Sequence, residues 1–434
     1  MGGRFGGVIS KQGARRTARL FIENTIFIRK SLRTTDGDAL VVVKPGQENP
    51  NAGPDFFNAH IQLNKTLWVG NVELHLHASD WFNHRHEVDT NYDNVILHVV
   101  WKNDMPVFDI SQQPMPTLCL SEYVPKSILK KYEHWISQDK KWISCADKIH
   151  AVSEFHQRQF WERLYVERLM EKTALFQHWL SLTKNNWEAV FFIALAKGFG
   201  LKQNGLAFAN MALATPWKAV LNCASNTELL EALFFGQSNL FQKSVDHTYF
   251  EKQQKRYQYL QHKYQLMPIS ENLKFFRLRP ENFPTIRLSH LAWLTSKQPR
   301  LLSHIQSSKN IDTLYALLQA KTTSFWESHY QFNTPAKQRQ RKLTKSFMQL
   351  LLLNTVFPFL FHYYKYTGDR RVDQIVDWVR QLPPEKNNYS LKFKALGCII
   401  EDALESQACI QLKTNYCNPR RCLSCSFGHE LLNL

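Results

Sequence analysis

The chain has 434 residues, more than one domain's worth at about 150 residues each and enough to bury a large core. Apolar residues make up 44% and charged residues 21%, with 29 Phe, 15 Tyr and 12 Trp, a globular composition that excludes disorder, collagen and a coiled coil. Lys and Arg number 54 against 37 Asp and Glu; the formal charge of +17 favours polyanionic partners, nucleic acid or an anionic membrane surface, without selecting one.

In chain order, residues 1–33 read as a basic N-terminal extension. The first 35 residues hold Arg4, Lys11, Arg15, Arg16, Arg19, Arg29, Lys30 and Arg33 against the single acid Glu23. No apolar h-region is present, so export is not expected; a basic arm, a transit peptide and a misassigned start are the alternatives. Residues 34–148 read as a strand-rich domain. Val41–Val43 is a short β-branched run, and the Pro- and Gly-rich stretch from Lys44 to Pro54 forbids a regular element there. Ala59–Leu63 and Leu67–His77 form a hairpin turning through Asn64, Lys65 and Thr66, and Val95–Trp101 is the apolar run of a central strand covered on both faces.

From Ile149 the pattern becomes helical, giving a helical domain over 149–405 and a Cys-rich terminal segment over 406–434. Trp161, Tyr165, Leu169, Phe176 and Leu180 recur at spacings of four or seven along one amphipathic helix. Trp187–Lys197 reads as a second helix with Gly198 as its C-cap, and further helices are expected near 227–235, 310–320, 344–357 and 371–381. The longest apolar stretch, Phe347–Phe361, is interrupted by Gln349, Asn354 and Pro358 and falls short of the roughly 20 residues of a membrane span, so no membrane is expected. Eight scattered Cys point to a reducing compartment, read as the cytoplasm, with thiols or metal ligands in place of disulfides.

The stretch Val72-Glu73-Leu74-His75-Leu76-His77 alternates with period two, which in a strand puts Glu73, His75 and His77 on one face. Asp55, directly after Gly53-Pro54, sits where the loop enters the hairpin. Two carboxylates with a neighbouring base can hold Mg²⁺ or Mn²⁺ through oxygen and activate water for phosphodiester hydrolysis; a half-buried strand face shows the same alternation without any chemistry. His84 and His86 fall in a loop, Asn83–Asn94, where they are either solvated or ligands of a transition metal such as Zn²⁺. His98, inside an apolar run, reads as a hydrogen-bonded core residue, and Ser79-Asp80 as the cap of a short helix.

Pro54-Asp55, seventeen further residues, then Glu73-Leu74-His75 resembles the PD-(D/E)xK nuclease signature, with His75 where that family has Lys. The resemblance implies a restriction-endonuclease-like α/β core, Asp55 and Glu73 as metal ligands and His75 as the water-activating group. More broadly, the blocks Thr34-Thr35-Asp36-Gly37, Asn51-Ala52-Gly53-Pro54-Asp55-Phe56, Trp68 to His75, Ser79-Asp80-Trp81, Tyr92 to His98, Arg279-Pro280-Glu281-Asn282-Phe283-Pro284 and Tyr416-Cys417 resemble the uncharacterised bacterial family known as domain of unknown function 2851. That family brings no activity with it.

At the C-terminus, Cys417, Cys422 and Cys425 place three thiols within nine residues, a spacing that suits Zn²⁺ or an iron–sulfur cluster, or else three thiols packed in a terminal helical hairpin. A fourth ligand comes from Cys409, His429 or, as the expected choice, the distant Cys145. The combination of one remote Cys with a terminal trio is similar to iron–sulfur nucleases of the RecB type. Lys337, Arg339, Arg341, Lys342 and Lys345 give five positive charges in nine residues, a candidate phosphate-contacting stripe leading into a helix or simply a solvated face. Lys274-Phe275-Phe276-Arg277-Leu278-Arg279, with Phe283 and Arg287, offers rings and basic groups that stack bases or pack a core. The expectation from sequence is therefore an α+β protein, strand-rich first and helical after. It binds or hydrolyses nucleic acid, most readily DNA; the alternative is a scaffold whose nuclease-like core has lost activity.

Overall fold

The computed structural model describes residues 31–49, 51–124, 126–137, 141–242 and 244–432. The basic extension up to residue 30, Glu23 included, lies outside them. The chain forms two compact units: one comprises the chain up to Trp161 with Lys386–Ile400 and Ala408–Leu434, the other Glu162–Glu385 with Glu401–Gln407. The α+β expectation holds at this level, strands first and helices after. The boundary, however, falls inside the helix Glu154–Leu182 and not at residue 149. A helix start is written locally in the sequence, whereas unit membership is set by packing. Trp161 is fully buried, with its ring 5.0 Å from Phe427 and 6.1 Å from Phe393, both far along the chain.

The strand-rich unit is built on a seven-stranded sheet in the order β1-β2-β4-β5-β6-β7, with β3 also pairing with β4. The strands are β1 (Leu32–Arg33), β2 (Ala39–Lys44), β3 (Gln47–Glu48), β4 (Phe56–Leu63), β5 (Thr66–His77), β6 (Val95–Lys102) and β7 (Thr117–Cys119). The hairpin read from sequence is β4–β5, turning tightly at Asn64-Lys65 with Asn64 at φ 53°, a left-handed conformation that Asn tolerates well. Up to β5 the pairing is antiparallel; β5–β6 and β6–β7 are parallel. Parallel neighbours cannot be joined by a tight turn, so residues 78–94 must cross over and begin β6 at the same end as β5.

Apolar side chains cover both faces of the sheet. Val72, Leu74, Leu97, Val99 and Leu118 pack on one side with Tyr132 and Trp135 of the helix Lys126–Ser137 and with Cys422, Leu423 and Leu432 of the terminal segment. On the other side Val100, Met115 and Cys119 pack with Trp81 and Ala78. Glu73 and His75 share that second side by strand alternation.

In the other unit the expected helices are present over Trp187–Phe199, Thr227–Gln237, Ile311–Leu317 and Val372–Arg380. Several more come without having been read from the sequence, among them Leu201–Ala214, Thr248–Tyr264 and Pro284–Lys297. Gly198 lies inside the second helix and is not its cap. A Cβ there would stand 2.6 Å from Thr355 Oγ1 and 2.8 Å from Leu351 Cδ2, so this glycine serves a close helix approach. The helix expected at 344–357 runs on: Lys345–Leu351 passes through a π turn, Leu352–Val356, into Phe357–Thr367. Pro358 has no amide for a bond four residues back; the wider turn before it absorbs that loss. The run Lys345–Thr367 is long and apolar enough to span a bilayer, but its most apolar window is 72% buried inside the protein, as in a core helix.

Candidate metal centre

The loop before β4 is pinned by one buried side chain. Asn49 donates from Nδ2 to the carbonyls of Ala52 (3.1 Å) and Pro54 (3.0 Å), and its Oδ1 accepts from the Asn51 amide (2.9 Å). This fixes Asp55 against β5. The Asp55 amide donates to Glu73 Oε2 (3.0 Å), while Asp55 Oδ2 accepts from the Leu74 amide (3.2 Å). The two carboxylates expected to act together are therefore cross-tied, each accepting from an amide at or beside the other residue.

Glu73 and His75, each 1% exposed, point to the same face, as period two demands. His77 does not join them: it sits at the strand end, nearly half exposed, 3.8 Å from Asp80 Oδ2. The parallel register sets His98 opposite Glu73, which brings its ring to His75 on that face, with His75 Nδ1 2.8 Å from His98 Nε2. Burial, followed by the charge of His86, lowers the pKa of His98 to about 3, so it is a neutral imidazole able to accept a hydrogen bond.

The crossover supplies two more imidazoles. The short helix Asp80–Asn83 starts it, with Ser79 at the cap position but bonded away to Asp104 (Oγ to Oδ2, 2.8 Å) instead of capping. Asp80 accepts from the His77 amide (3.1 Å) and does not act as the cap expected of Ser79-Asp80. Arg85, left-handed at φ 60°, then reverses the chain between His84 and His86. His86 is 9% exposed, stacked on Tyr92 with centroids 3.7 Å apart and edge-on to Trp81. His84 stays exposed, its Nδ1 3.0 Å from His75 Nε2.

The donor atoms converge. His75, His84 and His86 offer nitrogens that all lie within 4.8 Å of one another. Glu73 Oε1 is 3.5 Å from His75 Nε2 and 3.6 Å from His86 Nε2. Metal–nitrogen bonds of about 2.0–2.1 Å in a tetrahedron put neighbouring donors roughly 3.3 to 3.4 Å apart, and the separations here bracket that value. Three imidazoles with one carboxylate suit a first-row transition ion such as Zn²⁺ or Mn²⁺ better than Mg²⁺. The hydrogen bond of His75 Nδ1 to His98 is the second contact that metal-binding imidazoles ordinarily make.

Reading residues 83–94 as a plain loop undervalued His84 and His86. The usable signal was His-x-His directly after a strand that carries Glu-x-His; its meaning depends on the parallel pairing of β5 and β6, which no local pattern announces.

The other candidates lie elsewhere. Cys145, Cys417, Cys422 and Cys425 belong to the strand-rich unit, and none is in a disulfide. In the helical unit the basic stripe is broken. Arg341 is 2% exposed with its guanidinium 4.1 Å above the Tyr330 ring, and Arg339 is paired with Glu281, so among the five only Lys337, Lys342 and Lys345 are exposed and in no ion pair among the described residues. Arg341 is held off the surface by stacking on the Tyr330 ring. Of the aromatic-basic segment, Phe276 is 79% exposed beside Arg277, whereas Arg287 is buried over Phe347.

An α+β chain carrying a clustered His–carboxylate site is thus defined by its own geometry. The family model for a protein of unknown function, DUF2851, matches residues 21–388, and the chain belongs to that family. The matched span holds Asp55, Glu73 and all the site histidines and ends before the three terminal cysteines, so the Tyr416-Cys417 block lies outside it. No curated protein and no solved structure matches the chain.

Proposed function

We propose that the protein is a metal-dependent hydrolase of phosphodiester bonds in nucleic acid, DNA being the first substrate to test. The observation that carries this reading is the meeting of Glu73 Oε1, His75 Nε2, His84 Nδ1 and a nitrogen of His86 around one point, with His84 open to solvent. A bound Zn²⁺ or Mn²⁺ would supply Lewis acidity and lower the pKa of a coordinated water. The chain's own groups then have distinct tasks. Glu73 is oriented by the Asp55 amide, which occupies Oε2 and leaves Oε1 toward the imidazoles. His98 holds the tautomer of His75. His75, buried and engaged at both ring nitrogens, is a ligand and not the free base that the Lys position of a PD-(D/E)xK nuclease would supply. The likeness to that superfamily, a restriction-endonuclease-like core included, rests on Pro54-Asp55, at the start of β4, meeting Glu73-Leu74-His75 on the neighbouring interior strand β5 of a mixed sheet. Exposed Lys337, Lys342 and Lys345 and the Phe276-Arg277 pair give the helical unit groups for phosphates and bases.

A second reading is supported by burial. Glu73, His75 and His86 are all but excluded from solvent, as in a centre that serves structure in a nucleic-acid-binding scaffold. Labelled single- and double-stranded DNA incubated with wild type and Mn²⁺, Zn²⁺ or Mg²⁺ separates the two. Cleavage with Mn²⁺ or Zn²⁺ that disappears in Glu73→Gln and His86→Ala supports the hydrolase. Metal bound without cleavage supports the scaffold, and cleavage unchanged in both variants overturns the assignment of this site.

A further inference from the structure

We propose that Cys145, Cys417, Cys422 and Cys425 form a second, thiolate-bound metal centre that fastens the terminal segment to the sheet on the face opposite Glu73. Each piece of local structure serves to bring these four together. The π turn Leu412–Cys417 ends on the first thiol of the trio. Arg420, left-handed at φ 56°, then turns the chain, with the Arg420 amide donating to Cys417 O (3.1 Å) and the Arg421 amide to Tyr416 O (2.8 Å). Tyr132 of the helix Lys126–Ser137 braces that turn by donating to Arg420 O (3.3 Å).

The turn continues through Cys422 to Cys425, whose amide donates to Cys422 O (3.4 Å). The helix after it sits so close beneath this turn that a Cβ on Gly428 would come within 1.9 Å of Cys422 O, which leaves glycine as the residue that fits. From the other end of the unit, Ser144 hydrogen-bonds the Cys422 thiol, and its neighbour Cys145 packs with Cys422 on the same apolar cluster. Trp142 completes the staple: Lys392 and Lys413 place their ammonium groups 5.3 and 5.2 Å from its ring centroid. Of the other candidate fourth ligands, His429 is bonded to Leu423 O.

Thiols gathered in this way and kept from disulfides are what a soft metal takes. Burial pushes the thiols of Cys145 and Cys417 up, and neighbouring cysteines of the group add to the rise. A cation would reverse that balance, keep four thiolates in place and release their protons. Tetrathiolate sites take either Zn²⁺ or an iron–sulfur cluster, and the measurement distinguishes them.

The full chain is purified without oxygen, and its zinc, iron and acid-labile sulfide are measured with its visible spectrum, beside His86→Ala, Cys417→Ser and Cys422→Ser. The expected result is a complement that His86→Ala retains and both cysteine variants lose: about one zinc per chain without colour, or about four irons with sulfide and broad visible absorption. Should a cysteine variant fail to fold, wild type still decides: thiol reagent should modify these four residues at least tenfold faster after a strong chelator or an iron oxidant is added. A complement undiminished in both cysteine variants, or wild-type thiols that react equally fast before and after stripping, overturns the centre.

Discussion

Glu73 and His75 sit two residues apart, and alternation alone put them on one face; what gives them chemistry is their distant neighbours. Asp55 turns out to act on Glu73 through its amide, and His98, expected to be a bonded core histidine, is one, but its partner is His75. If His98 sets the tautomer of His75, His98→Ala should weaken binding of Zn²⁺ by about 10- to 100-fold in competition with a chromogenic chelator, while leaving the complement held by the cysteines unchanged. Equal affinity in the variant would show that the 2.8 Å contact is packing only. At this scale the sequence displayed the carboxylate pair and His75 openly. It left His84 and His86 open between solvent and a transition metal, because a histidine in a polar stretch looks the same whether it meets solvent or is folded back by a left-handed Arg85.

Among the elements, those whose signal is local were legible: the β4–β5 hairpin from its turn and alternation, β6 from its apolar run, the long helix from its spacing of four and seven. Less legible were elements decided by partners. Gly198 followed by a change of pattern reads as a stop, yet Thr355 and Leu351 press so closely that the helix needs a bare Cα there. Gly198→Ala should therefore lower stability by roughly 1–3 kcal/mol despite the gain of about 1 kcal/mol in helix propensity, as read by urea or thermal unfolding. An unchanged or raised midpoint would mean that the neighbouring side chains yield. Pro358 likewise looked like an end and proved to be a passage, because a π turn takes up its missing bond.

For the whole molecule, the change of pattern along the chain read correctly as strands followed by helices, whereas the assignment of segments 386–400 and 408–432 to the strand-rich unit depends on contacts between residues hundreds of positions apart. The helical unit also buries a carboxyl. Glu231 is fully enclosed, accepts hydrogen bonds from Tyr249 Oη (2.6 Å) and Thr323 Oγ1 (3.0 Å), and burial raises its pKa to about 7. Its ordinary value is 4.5, so below that pH both folded and unfolded chains hold the proton and nothing is lost. As pH rises the unfolded chain ionises first, and stability falls until the folded group also titrates near 7, a loss on the order of 3 kcal/mol. Thermal midpoints measured from pH 5 to 8 should decline in wild type and flatten in Glu231→Gln; parallel curves would assign the decline to other groups.

The return of the terminal segment to the sheet also fixes an order of events during synthesis. Leu423 and Leu432 cover a sheet face whose own strands leave the ribosome first, and residues 162–407 must be translated before that cover exists. At about 5–20 residues per second the nascent sheet waits on the order of 10 to 50 s with that face covered only in part, by Tyr132 and Trp135. Until Leu423 and Leu432 are made, the apolar side chains they cover stay open to solvent and to other nascent chains.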